Sequence, residues 1–170
     1  MTKISHQSLT ETLDYNPATG QFIWKVAISR RVKVGTMAGS VTSHGYISIG
    51  LFGTVYYGQD LAWFYTYQAW PTSTVDHVDT DRSNNRIGNL RLATTSQNSQ
   101  NSKQHSDNSS GFKGVRKYRK RYAARIRVNG ENIHLGTFDL PADAARSYDA
   151  AAIKNFGQFA QTNHSLGLIS

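Results

Sequence analysis

The chain reads as an α+β protein of two small modules separated by a polar linker, and three observations predict this. Short strand-like runs bounded by glycine turns recur before and after the middle of the chain. Gln100 to Ser110 is rich in Ser, Asn and Gln and lacks any apolar anchor. Ala142 to Phe156 is an Ala-rich amphipathic stretch. Period-two alternation marks half-buried strands, a 3.6-residue period marks a helix, and an unanchored polar run marks a boundary. At 170 residues the chain has room for one ordinary domain or two small ones with thin cores.

Taken in order, Ser8 to Leu13 predicts a short helix capped by Ser8, with Glu11 completing a capping box. Tyr15 to Gly20 is turn-rich, Phe22 to Val26 has strand composition, and Gly35 to Ser40 reads as a loop. Gly45 to Leu51 alternates, Gly53-Thr54 turns the chain, and Val55 to Tyr57 returns, which makes a β-hairpin. Asp60 to Ala69 suits a helix whose aromatic residues fill a core, and Pro71 ends it. Val75 to Asp79 begins as a strand and breaks into the polar run Thr80 to Asn85. Ile87, Leu90 and Leu92 then supply buried anchors, and Thr94 or Thr95 can cap a helix to about Ser102. Past the linker, Gly114 to Tyr118, Tyr122 to Val128 and Ile133 to Phe138 read as three strands, with Asn129-Gly130 as the strongest hairpin signal. Ala142 to Phe156 follows as the best-formed helix. Leu135, Phe138, Tyr148 and Ile153 read as core.

Composition narrows the function classes. Cysteine is absent, so disulfides and thiolate zinc sites are excluded, redox chemistry is disfavoured, and a reducing cytoplasm is the expected compartment. Met1 to Thr10 has no hydrophobic stretch, so no secretory signal is expected. The net charge of +8 and pI near 9.8 describe a protein drawn to polyanions. From Lys113 to Arg127 the charged residues are all basic, which makes nucleic acid the expected partner rather than a membrane surface. No protein partner is implied.

Val75 to Asn98 concentrates carboxylate, imidazole and carboxamide groups. Hydrolysis of a phosphodiester needs a base to activate water and a divalent cation to neutralise charge on the phosphate. His77 is the candidate base, while Asp76 and the Asn98 carbonyl oxygen are hard ligands suited to Mg2+ or Mn2+. Adjacent strand residues point to opposite faces, so a twist or bulge is needed for Asp76 and His77 to reach one phosphate. Asp79 and Asp81 read as solvated loop carboxylates. His134 lacks a second ligand nearby, and His6, His44, His105 and His164 are scattered, so none is assigned chemistry.

Asp76-His77, the Asn84-Asn85 loop, Asn89-Leu90-Arg91 and the closing Asn98 resemble the HNH nuclease motif, in the variant of phage homing endonucleases that ends in asparagine. Leu13 to Lys25 and the Gly45-Tyr46 hairpin resemble the usual lead-in. The resemblance implies a ββα-metal module in which His77 is the general base, Asp76 and Asn98 bind the metal, and Asn89 holds the histidine in orientation. It departs at Gln59-Asp60-Leu61, where His-Arg-Leu is usual. The second half, through Ser110 to Arg116, Tyr122 to Arg127, Leu135 to Phe138 and Ala144 to Ala152, resembles the plant ethylene-response-factor DNA-binding domain of the Apetala family. That resemblance implies a three-stranded antiparallel sheet on one helix, laid in the major groove. DNA-contacting positions then fall on Lys113, Arg116, the turn Tyr118, Arg119 and Arg121, and Arg127. Arg125 shares a strand face with Arg127 and joins them, and Ala123 and Ala124 are expected to keep that surface low. Asn132 and His134 stand where arginine and tryptophan are usual.

The expected organisation is a nuclease module over 1–102, a linker over 103–110 and a DNA-binding module over 111–165. The expected function is metal-dependent nicking of double-stranded DNA by a homing-type endonuclease from a phage or bacterial-type host. The alternative is a sequence-specific DNA-binding regulator with an inactive HNH fold. RNA is disfavoured as a substrate because no aromatic platform of RNA type is evident.

Overall fold

The computed structural model describes residues 3–101 and 108–169 and divides the chain into two compact units, Met1–Thr94 and Thr95–Ser170. The expected linker lies largely, and His105 wholly, outside the described residues.

The first unit opens with α1 (His6–Thr12). Its N-cap is Ser5, whose hydroxyl accepts from the Ser8 backbone N–H at 3.1 Å, so the cap lies three residues before the expected one. β1 (Leu13–Asn16) and β2 (Gln21–Trp24) form an antiparallel hairpin from Leu13 opposite Trp24 to Asn16 opposite Gln21. Asn16 Oδ1 accepts from the N–H groups of Ala18 and Thr19 and closes the turn. A second sheet has β3 (Ser40–Val41), β4 (Ile47–Leu51) and β5 (Thr54–Tyr57) side by side in that order. Helix α2 (Gly58–Tyr67) follows and ends at Gln68 in a left-handed conformation, short of Pro71. Its buried Leu61, Ala62 and Phe64 close over Leu9, Leu13, Phe22, Ile49 and Leu51. This apolar cluster holds the lead-in, the sheet and α2 together, because burying such side chains is the main favourable term in folding. β6 (Thr74–His77) and β7 (Leu90–Ala93) then pair antiparallel, with a 3₁₀ turn at Ile87–Asn89 between them.

The second unit begins with α3 (Thr95–Gln100). The division thus falls before this helix, which the sequence groups with the first module. β8 (Val115–Tyr118), β9 (Arg121–Val128) and β10 (Glu131–Phe138) form an antiparallel sheet with β9 central. Helix α4 (Pro141–Phe156) packs on one face of it. Val115, Ala124, Ile126, Ala144, Ala145, Tyr148 and Ala152 are the buried core. Two expectations change here. Ala124 faces α4 and only Ala123 lies on the opposite, arginine-bearing face, because adjacent strand residues alternate. Ile153 is 60% exposed and is not core. Asp149 ties the chain end to α4 by accepting from the backbone N–H groups of Asn163 and His164 and from Asn163 Nδ2.

Among the described residues the protein is therefore a mixed α/β chain with small antiparallel sheets and four α-helices. No helix of the described residues is long and apolar enough to cross a membrane.

Candidate active site and nucleic-acid interface

β6 and β7 set the first group of side chains. The ladder runs without a register shift, with Asp76 opposite Arg91 and His77 opposite Leu90. No bulge interrupts it, so Asp76 and His77 are turned to opposite faces of the strand, contrary to what their joint role was expected to need. Both are nonetheless buried, Asp76 at 5% and His77 at 4% exposure, which distinguishes them from a solvated Asp-His turn. Asp76 Oδ2 accepts from Arg91 Nε at 2.9 Å and pairs with Nη2 at 2.9 Å.

His77 Nε2 lies 3.1 Å from Asn85 Oδ1. A carbonyl oxygen can only accept, so Nε2 carries the proton, and in the neutral ring Nδ1 is then the basic nitrogen. The expected orienting residue was Asn89, but its hydrogen bonds go to the loop. Its Oδ1 accepts from the Asp79 N–H, and its Nδ2 donates to Asp79 Oδ1 and to the Asn84 carbonyl. Asp79 Oδ2 also accepts from Asn84 Nδ2, and Asp81 Oδ1 accepts from the N–H and hydroxyl of Ser83. Asp79, Asp81 and Asn89 thus shape the turn that presents Asn85.

Asn85 is itself held by the lead-in hairpin. Tyr15 donates its hydroxyl to the Asn85 carbonyl at 2.6 Å, and the Ile87 N–H reaches the Pro17 carbonyl. Gly20, at φ +76°, passes so close that a Cβ would lie 2.5 Å from the Arg86 nitrogen. On the other side a Cβ on Gly58 would lie 2.5 Å from Asn85 Nδ2. The Tyr46 ring is 6.1 Å from that of His77 and carries the Arg82 guanidinium over its face. Asn85, Tyr15, Gly20 and Gly58 are the positions that the sequence did not single out for this role. The Asn-Asn pair was its only signal.

Asn98 lies on α3 and so in the second unit, half-buried. Among the described residues no three His, Cys, Asp or Glu side chains gather into a metal-holding group. The donor chemistry still suits a hard divalent cation. As residue types, the Asp76 carboxylate and the Asn98 carboxamide are each hard oxygen donors of the kind such a cation takes.

The second unit presents the basic group. Strand register places Arg116 opposite Ala123, Tyr118 opposite Arg121, Arg125 opposite His134 and Arg127 opposite Asn132. Directly opposed residues share a face, so these side chains stand together on the side away from α4, and all five arginine and tyrosine positions are exposed. Arg119 forms the β8–β9 turn with φ +55° and lies over the Tyr118 ring. Arg121 is tied to Asp139 at 2.7 Å, and Arg127 donates to the Gly130 carbonyl. Arg116 and Arg125 have no side-chain hydrogen bond or ion pair among the described residues. Lys113 stands apart from this face. Its Nζ donates to the Gln100 carbonyl at 2.9 Å and its backbone is clasped by Asn163. Burial pushes its ammonium down to about 8, partly offset by Asp149.

Residues 56–100 match the family model described as HNH endonuclease. That match spans α2, both strands bearing Asp76, His77 and Arg91, and α3. The chain is also 40% identical over 90 residues to an uncharacterized HNH endonuclease of Acanthamoeba polyphaga mimivirus, covering 52% of this chain and 46% of that protein. Both findings support a nuclease. A further 58 residues are 50% identical to ethylene-responsive transcription factor 3 of Nicotiana tabacum, covering 32% of this chain and 26% of that protein. The chain thus spans less than half the length of the first relative and about a quarter of the second.

Proposed function

We propose that the protein is a metal-dependent, homing-type endonuclease that nicks double-stranded DNA, with His77 as general base. The observation that carries this reading is the buried His77–Asn85 hydrogen bond, which orders the imidazole so that Nδ1 carries its lone pair. His77 Nδ1 takes a proton from water, the oxygen attacks phosphorus in line, and the bond to the 3′ oxygen breaks. The products are a 5′-phosphate and a 3′-hydroxyl, the leaving oxygen taking its proton from solvent. A divalent cation, Mg2+ or Mn2+, held by Asp76 would neutralise charge on the phosphate and on the leaving oxygen. Arg91 holds the Asp76 carboxylate in place, since removing one partner of a buried charge pair is strongly unfavourable. Asn89 acts through the loop, by fixing the backbone that carries Asn85.

The Apetala-like sheet is the DNA-holding part of this reading, through Arg116, Tyr118, Arg119, Arg121, Arg125 and Arg127. Arginine suits this work because its planar fork meets phosphates and guanine edges bidentately. Tethering a cutting module to a sheet that holds DNA raises the local concentration of one for the other.

The test is incubation of supercoiled plasmid with protein and Mg2+ or Mn2+, with end-labelling of the products. Open circles carrying 5′-phosphate and 3′-hydroxyl ends are expected. DNA binding without nicking, across several DNA sources and both metals, would identify a DNA-binding regulator with an inactive nuclease fold instead. Competition by structured RNA that outweighs duplex DNA would redirect the substrate to RNA.

A further inference from the structure

The first unit has a cleft of about 620 Å³, walled by Tyr46, Tyr56, Tyr57 and Trp70, with Gln59 and Asp60 also lining it. No step proposed above uses the Gln59 or Asp60 side chain. Gln59 is only 7% exposed, and among the described residues its Oε1 has no hydrogen-bond partner. A buried acceptor left unmet is disfavoured, so this oxygen calls for a donor from a ligand. Asp60, the next residue, also lines the cleft and has no side-chain hydrogen bond among the described residues. An ionised carboxylate is acceptor-only. The first turn of α2 therefore offers the cleft acceptors from two neighbouring side chains.

The walls specify the shape of the ligand. Tyr56 stacks on Trp70 with centroids 5.6 Å apart and planes 24° apart, and Tyr46 lies 5.4 Å from Tyr57. Phe64 also stacks on Trp70, at 4.3 Å, so the ring left open to a flat ligand is Tyr57, 48% exposed. Lys3 lines the same cleft, its Nζ over Trp70 at 4.7 Å, where it disfavours a bare cation and suits a phosphate. A flat ring with adjacent N–H donors on one edge and a phosphate attached is a guanine nucleotide. Its N1–H and 2-amino group match the acceptors, whereas adenine and cytosine offer only an exocyclic amine with a ring acceptor beside it. Enzymes that receive an extruded base read it in this way, by stacking and by contacts to its Watson–Crick edge.

We propose that this cleft binds an unpaired guanine nucleotide. Because its Tyr46 wall is also the neighbour of His77, a guanine seated there belongs to the strand being cut. That last placement rests on the nuclease reading, while the binding of guanine does not.

The test uses the full chain and free mononucleotides, with binding measured by calorimetry. GMP is expected to bind saturably. IMP, which lacks only the 2-amino group, should bind about tenfold more weakly, the cost of one unmet buried hydrogen bond. AMP and CMP should bind more weakly still. Asp60→Asn and Gln59→Leu, each checked for an intact fold by circular dichroism, should each lower GMP affinity by about tenfold. Equal affinity for all four nucleotides, full displacement of GMP by inorganic phosphate, a signal from Mg2+ alone with none from GMP, or no effect of either variant would each overturn the proposal. A nuclease that nicks plasmid but shows any of these outcomes keeps its activity and loses this subsite. A protein that binds GMP selectively but never nicks keeps the cleft and loses the nuclease.

Discussion

Asn85 holds His77 through one hydrogen bond, and Gly58 leaves the space in which that amide sits. Asn85→Ala removes the bond and should lower nicking by about tenfold to a hundredfold, the usual cost of a misplaced catalytic group, while DNA binding is retained. Gly58→Ala should act in the same direction and more weakly, because the helical backbone tolerates alanine and only the amide must shift. A plasmid-nicking time course on both variants checks this, and unchanged rates would show that the Asn85 contact does not order the base. Asp60 provides a second residue-level expectation. Desolvation raises its carboxyl above the ordinary range, against the opposing charges of Lys3 and His77. Its folded pKa lies above the unfolded value, so between the two the unfolded chain ionises first and stability is lost as pH rises. Asp60→Asn cannot ionise and should melt higher than wild type at pH 7, with the difference gone in acid below the ordinary carboxylate range. A lower melting temperature at pH 7 would mean that a favourable contact of the carboxylate outweighs its desolvation.

The central sheet of the second unit separates residues that hold the fold from residues available to a polyanion. Ala124 and Ile126 are buried on the α4 side, and Arg125 and Arg127 stand exposed between and beyond them. Among the described residues Arg116 and Arg125 have no side-chain partner to give up on binding. Replacing both with alanine should weaken duplex binding and reduce the slope of log affinity against log salt by about 2 if each meets one phosphate. Binding measured over a salt series reads this directly, and an unchanged slope would remove these arginines from the interface. Lys113 belongs to a different element, since it closes the end of α3. Its folded pKa of about 8 lies below the unfolded lysine value, so the unfolded chain binds more protons between the two and stability rises with pH over that window. Tyr148 works in the opposite direction. Burial and Asp149 push its hydroxyl up to about 12, so stability falls once unfolded tyrosine ionises near 10. Denaturant midpoints should therefore rise from about pH 8 to about pH 10, and Lys113→Met should abolish the rise.

Across the whole molecule, features with local causes were legible in the sequence. The β4–β5 hairpin, α2, the three strands β8 to β10 and α4 follow from alternation, turn residues and amphipathic spacing. β1 was hidden because Leu13 reads as the end of α1, and its alternating burial with Tyr15 becomes visible only when β2 pairs with it. The site was legible in its chemistry and incomplete in its geometry. Asp76 and His77 stand out as residue types, but the amide that meets the imidazole comes from a loop whose position depends on Tyr15 and Gly20, some seventy residues earlier for the Tyr15 bond. No local pattern encodes such a contact. Lys113 shows a related limit, since its charge suggests a surface whereas its backbone is clasped by Asn163, fifty residues away. The central claim is that a buried, amide-ordered imidazole activates water for cutting DNA. His77→Ala tests it most directly, in a nicking assay with Mg2+ on supercoiled plasmid run beside a DNA-binding measurement. The account predicts a loss of at least about a hundredfold in nicking, as general-base catalysis supplies, with binding unchanged. Nicking by His77→Ala at the wild-type rate would contradict it.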